Sequence, residues 1–148
     1  MANIIPFSFR GALFSGNHDF ANGGNAFAMS LYVTNPYTTA STVYLAGTGN
    51  GEVDTTGGTN YAPFALVNQA VVSTTAVASV DWATDPNWAS ATFTASFAAI
   101  YNTTTVDGTA NRLVVVLDFG GAKTATNGTF TVAFPAVNTA ADAIISMS

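Results

Sequence analysis

The run Ser90-Ala-Thr-Phe-Thr-Ala-Ser-Phe-Ala-Ala-Ile-Tyr-Asn102 carries the clearest secondary-structure signal in the chain. Phe93, Ala95, Phe97, Ala99 and Tyr101 fall on one side of a period of two, and Thr92, Thr94, Ser96 and Ala98 fall on the other. That is the repeat of a strand with two distinct faces. A helix would need apolar residues three and four apart, and the β-branched threonines suit a pleated surface better.

The same signal recurs on either side. Phe27, Met29, Leu31 and Val33 alternate with Ala28, Ser30, Tyr32 and Thr34, which predicts a half-buried strand ended by Asn35-Pro36. Val43 to Ala46 predicts a shorter strand, and 61–67 and 70–80 predict two more. Leu113 to Leu117 is an unbroken Val-rich run, the mark of a strand covered on both sides. Gly120-Gly121 and Asn127-Gly128 read as turns. Phe130, Val132 and Phe134 alternate again, and Ala143 to Met147 closes the series. The expected fold is all-β: a single-domain antiparallel β-sandwich, jelly-roll-like, over residues 27–148.

Residues 1–26 read differently. Ile5, Phe7 and Phe9 alternate with Pro6, Ser8 and Arg10, which predicts an extended N-terminal arm. A Gly/Asn-rich loop follows, from Gly16 to Asn25. Ile4, Ile5, Phe7, Phe9, Leu13, Phe14 and Phe20 are the candidate interface residues, because an apolar arm ahead of a glycine-rich loop can reach a neighbouring surface.

Composition narrows the function. Of 148 residues only 7% are charged, against about 25% in an average soluble domain. A surface so poor in charge is sticky unless much of it is covered, which points to a large permanent interface. The net charge is −5, and Arg10, Arg112 and Lys123 are the only cations. Three scattered cations cannot neutralise a run of phosphates, so no nucleic-acid partner is expected, and no anionic membrane surface. The N-terminus lacks a basic segment followed by an apolar run, so no signal peptide is expected. With no cysteine there is no disulfide, thiolate zinc site or cysteine nucleophile.

Catalytic machinery is sparse. His18 stands beside Asp19 in the glycine-rich loop, with no Gly-x-Ser-x-Gly elbow elsewhere. Asp81 and Asp85 flank Trp82, with Trp88 close behind. Two carboxylates near aromatics suit a glycosidase, but this pair brackets a Pro-containing turn and reads better as turn capping. Trp82 and Trp88 are candidates for sugar stacking if exposed, and core anchors otherwise. Glu52 and Asp54 lie in a glycine-rich loop without EF-hand spacing. No cofactor, metal or catalytic residue is expected.

Trp88, Ile100-Tyr101-Asn102, Val114 to Leu117 with Asp118-Phe119-Gly120, Gly128-Thr-Phe-Thr-Val132 and Phe134-Pro135 form an ordered series. It resembles that of small structural proteins of tailed bacteriophages. Gly16-Asn-His-Asp-Phe20, Leu31-Tyr32 and Gly57-Gly58 fit the pattern more loosely. The resemblance implies a virion component made in the host cytoplasm, with no catalytic residues to carry over. The expected role is a capsid decoration, or cement, protein bridging the major capsid protein, as a homotrimer. The alternatives are a tail, baseplate or fibre-adaptor component and, further off, a glycan-binding module.

Overall fold

A computed structural model describes residues 3–74, 76–136 and 143–147. In chain order it contains α1 (Phe7–Phe14), β1 (Phe27–Tyr32), β2 (Phe64–Leu66), β3 (Gln69–Ser73), β4 (Ala78–Trp82), β5 (Asn87–Asn102), β6 (Arg112–Thr131) and β7 (Ile145–Met147). The strands form a four-stranded sheet, β2-β1-β5-β6, and a three-stranded sheet, β3-β4-β7. Every pairing is antiparallel. The expected all-β sandwich is therefore the observed architecture, although the strand order is not the eight-strand order of a jelly roll. Among the described residues no helix is long and apolar enough to cross a membrane.

The main core lies between the two sheets. Phe27 and Met29 of β1, Leu66 of β2, and Phe93, Ile100 and Val115 of the long hairpin meet Trp82 and Ile145 of the smaller sheet. Phe20 joins the layers by stacking on Phe27 at 4.7 Å between centroids, with its edge toward Trp82. A second cluster sits on the opposite face of the four-stranded sheet, where Tyr32, Ala99, Leu113 and Val116 are covered by Tyr37, Tyr44 and Leu45. Both faces of this sheet are thus buried. That is why β1, expected to be half-buried, is buried at all six positions, and why Leu113 to Leu117 is buried throughout.

The strand β5 keeps the predicted alternation only as far as Ala95. Phe97 pairs with Asp118, whereas Ala95 pairs with Lys123, so two steps along β5 oppose five along β6. This bulge reverses the parity of the strand. Phe93 and Ala95 then share the main core with Ala98 and Ile100, while Phe97 and Ala99 turn to the second cluster. The single face expected for Phe93 through Tyr101 is corrected accordingly. The glycine and asparagine signals have the same origin. Gly120 (φ 70°), Gly121 (φ 140°) and Asn127 (φ 48°) lie inside β6, at bulges and not at chain reversals.

Two further expectations change. The 70–80 segment divides into β3 and β4, joined as a hairpin with Ser73 opposite Ala78. The Val43–Ala46 strand reduces to an isolated bridge between Val43 and Arg112.

The extended arm is also corrected. Ile4 alone continues as strand, exchanging backbone hydrogen bonds with Val116 at 2.8 and 2.9 Å and so covering the outer edge of β6. From Phe7 to Phe14 the chain is helical. Phe9, Ala12 and Leu13, spaced three and four apart, provide the buried stripe. The 5-7-9 alternation overlapped this helical spacing and concealed it. Residues 4–20 pack against the same two clusters as the body, so no separate arm stands away from the sandwich.

Candidate contact surface

The helix α1 is firmly mounted. Its first backbone N–H donates to the Thr39 carbonyl at 2.9 Å, and the Ser8 hydroxyl donates to the Ser41 carbonyl at 2.9 Å. At the other end, Gly16 (φ 69°) turns the chain out of the helix, while the Asn17 N–H returns to the Ala12 carbonyl at 2.9 Å. Phe9 and Ala12 are buried on the inner face. The outer face presents Phe7, Arg10, Gly11 and Phe14, again at helical spacing. Phe7 is 61% exposed and Phe14 95%. The Arg10 guanidinium lies 4.7 Å from the Phe7 ring centroid, a cation–π arrangement.

Beside this helix runs a groove of about 340 Å³. Its apolar walls are Leu13, Phe20, Val71, Val80, Ile145 and Met147, with Asp19 at the exposed rim. Val71 and Met147, at 54% and 57% exposure, extend the apolar surface onto β3 and β7. Helix, groove and small sheet thus form one continuous face. A second groove of about 530 Å³ follows Phe119, Ala125, Phe130 and Val132 along the distal half of β6, with Lys123 beside it.

The loop after α1 is held by a polar lock. Asn102, fully buried at the end of β5, donates from Nδ2 to His18 Nδ1 at 3.1 Å and to Asn25 Oδ1 at 2.8 Å, and accepts from the Thr104 N–H. Asn25 Oδ1 also accepts from the Asp19 N–H. Gln69 donates to the Ala21 and Asn25 carbonyls. Gly24 fits because a Cβ there would stand 2.6 Å from Asp19 Cγ. His18 is buried between Phe9 and Phe20, at 5.0 and 5.9 Å between ring centroids. Burial first, and the Arg112 charge second, push its pKa down to about 4. It is a neutral structural histidine, with Nδ1 as acceptor and Nε2 carrying the proton without a hydrogen-bond partner among the described residues.

The candidate interface residues therefore separate into three sets. Phe7 and Phe14 are surface residues, and Phe9 and Phe20 belong to the chain's own core. Ile4, Ile5 and Leu13 are half-buried against the two clusters.

The candidate sugar-stacking residues are not on the surface. Trp82 is fully buried, and Trp88 is 6% exposed with its indole N–H on the Ala62 carbonyl at 2.7 Å. Neither offers the open flat ring that stacking needs. Asp81 Oδ1 accepts from the Trp82 N–H, and Asp85 Oδ1 from the Phe134 N–H, so each carboxylate pins backbone. Burial pushes the Asp81 carboxyl above the usual range.

Glu52 is likewise committed. It is buried and accepts from the Tyr44 and Tyr61 hydroxyls at 2.8 and 3.0 Å, and from the Gly47 N–H. Asp54 accepts from the Thr56 N–H and hydroxyl. Among the described residues no group of three or more His, Cys, Asp or Glu could hold a metal.

Sequence reasoning missed the tyrosine network around Glu52. All five tyrosines take part. Tyr32 and Tyr37 share a 2.6 Å hydroxyl contact, Tyr101 lies 3.4 Å from Ser30 Oγ and stacks on Tyr44, and Tyr61 donates to Glu52 while accepting from the Leu31 N–H. Burial raises the pKa of each. The network fastens the 33–60 segment to the four-stranded sheet. Its one sequence signal is the placement of four tyrosines between 32 and 61, which no periodicity reveals.

Comparison of the chain with protein families, with curated proteins and with solved structures finds no match.

Proposed function

We propose that the chain is a non-enzymatic structural subunit of a tailed-bacteriophage virion, and in particular a decoration protein that binds the major capsid protein. The observation that carries the contact role is Phe14, 95% exposed on a helix that is otherwise fixed to the core. An exposed phenylalanine on a mobile tail would mean little. On an anchored helix, with Phe7 on the same face and Val71 and Met147 nearby, it belongs to an apolar surface of the kind that marks association sites. The 7% charge content supports the same reading, because few charges oppose desolvation of the surface. The engagement of His18, Asp81, Asp85 and Glu52 in structural hydrogen bonds fits a scaffold. The virion assignment rests on the series of motifs from Trp88 to Pro135.

The test is immunogold labelling of intact particles with an antibody against this chain, viewed by negative stain. Dense label over the head is the expected result. Label confined to the tail would replace decoration by a tail or baseplate role, and unlabelled particles would overturn the virion reading altogether.

A further inference from the structure

We propose that a second copy of this chain is the first partner of the α1 face: Phe14 of one copy seats in the groove beside α1 of another, with Arg10 of the first against Asp19 of the second. The inference rests on reading α1 as a contact surface and names what that surface meets.

Four features on one face fit together in this way. The knob is Phe14, exposed on a rigid helix. The hole is the apolar groove, at about 340 Å³. An apolar cavity of about 150 Å³ takes a benzene ring, so the groove has room for the Phe14 ring and a neighbouring side chain.

The remaining two features are opposite charges. Arg10 is one of only three cations in the chain and stands on the knob helix, four residues before Phe14. Asp19 is an exposed acid on the rim of the hole. Its Oδ1 accepts from the Ala21 N–H, and it remains able to meet a guanidinium. Knob beside cation and hole beside anion make the face complementary to itself.

Position favours the same partner. Leu13 lines the groove and Phe14 is the next residue, so knob and hole are neighbours on every copy. A surface carrying both halves of one contact can close a symmetric oligomer without any further patch. A partner of different sequence would have to supply a matching aromatic, cation and hole independently.

The experiment is sedimentation velocity on the full chain over a dilution series, with two variants. Phe14→Ser removes the knob and keeps the hole. Ala21→Phe fills the hole at an exposed lining position and keeps the knob. Fluorescence of the buried Trp82 and Trp88 checks that each variant is folded. The wild type is expected to sediment as a closed oligomer and each single variant as a monomer. Mixing the two variants, well above the wild-type midpoint, should restore association through the one intact knob-and-hole pair.

A double-mutant cycle of Arg10→Gln and Asp19→Asn tests the charges. Asp19→Asn retains the oxygen that accepts from Ala21, so the loop is preserved. The two effects on the dissociation constant should be less than additive, as for a directly coupled pair. A wild type that is monomeric throughout, a Phe14→Ser chain that assembles like the wild type, or a mixture that stays monomeric would each overturn the proposal. If the wild type is monomeric while Phe14→Ser still loses attachment to phage heads, the contact-surface reading survives and the second-copy inference falls.

Discussion

At the scale of single residues, burial of polar groups sets the pH behaviour. His18 is held neutral, with its pKa down at about 4 against an ordinary 6.5. The unfolded chain therefore takes up a proton that the folded chain refuses. The stabilisation is complete above about pH 6.5 and is lost as the pH falls toward 4. At about 1.4 kcal/mol per unit the swing is on the order of 3 kcal/mol. Denaturant titrations of the wild type and His18→Asn between these limits should show the steeper loss in the wild type; parallel curves would contradict the assignment. The tyrosines act at the other end of the scale. Four are buried and Tyr44 is half-buried, all with raised pKa values, so the fold favours the neutral phenol and loses stability as the pH rises past the ordinary value near 10. Phenolate absorbance should appear in one cooperative step with alkaline unfolding. A gradual rise near pH 10 in a chain that is still folded would count against the network.

At the scale of elements, α1 shows both what was legible and what was not. The sandwich could be read because Leu113–Leu117 and the Phe93–Ala95 portion of β5 obey simple periodicity. The bulge after Ala95 could not, because its extra residues lie on β6, and a strand's parity depends on a partner that is remote in sequence. The helix was hidden because Ile5, Phe7 and Phe9 satisfy a period of two while Phe9, Ala12 and Leu13 satisfy a helical one. Of the candidate contact residues, Phe14 and Phe7 were legible as apolar, but the distinction between them and the buried Phe9 and Phe20 was not. It depends on which side of a helix faces the sheet. Two substitutions express this. Gly11→Ala, at an exposed helical position with nothing within 4 Å of the added Cβ, should stabilise the chain by about 0.5–1 kcal/mol in thermal melts. Phe9→Ala should cost about 3–5 kcal/mol in denaturant titration, where Phe14→Ser changes little. Equal effects at Phe9 and Phe14 would mean that the helix is not docked as described. For the same reason, removing residues 1–14 would strip Ile4 from the edge of β6 and Phe9 from the core, so it cannot serve as a clean test of contact.

At the scale of the whole molecule, the sandwich carries two partly apolar grooves, one beside α1 and one along β6. The tyrosine–Glu52 network closes one side of the four-stranded sheet, and the small sheet with Phe20 and Phe9 closes the other. Among the described residues the most exposed large apolar side chains, Phe7, Phe14, Val71 and Met147, stand on α1 and the neighbouring strands, while Val33 and Val67 are exposed elsewhere. The low charge content supports the proposal that the face around α1 is covered by a partner. The most direct measurement is hydroxyl-radical footprinting of the chain in its assembled form and as dilute protomer, read residue by residue by mass spectrometry. Oxidation of Phe14 and Phe7 should fall severalfold on assembly while Phe9 stays protected in both states. Phe14 oxidised equally in both states would show that α1 is not the contact surface.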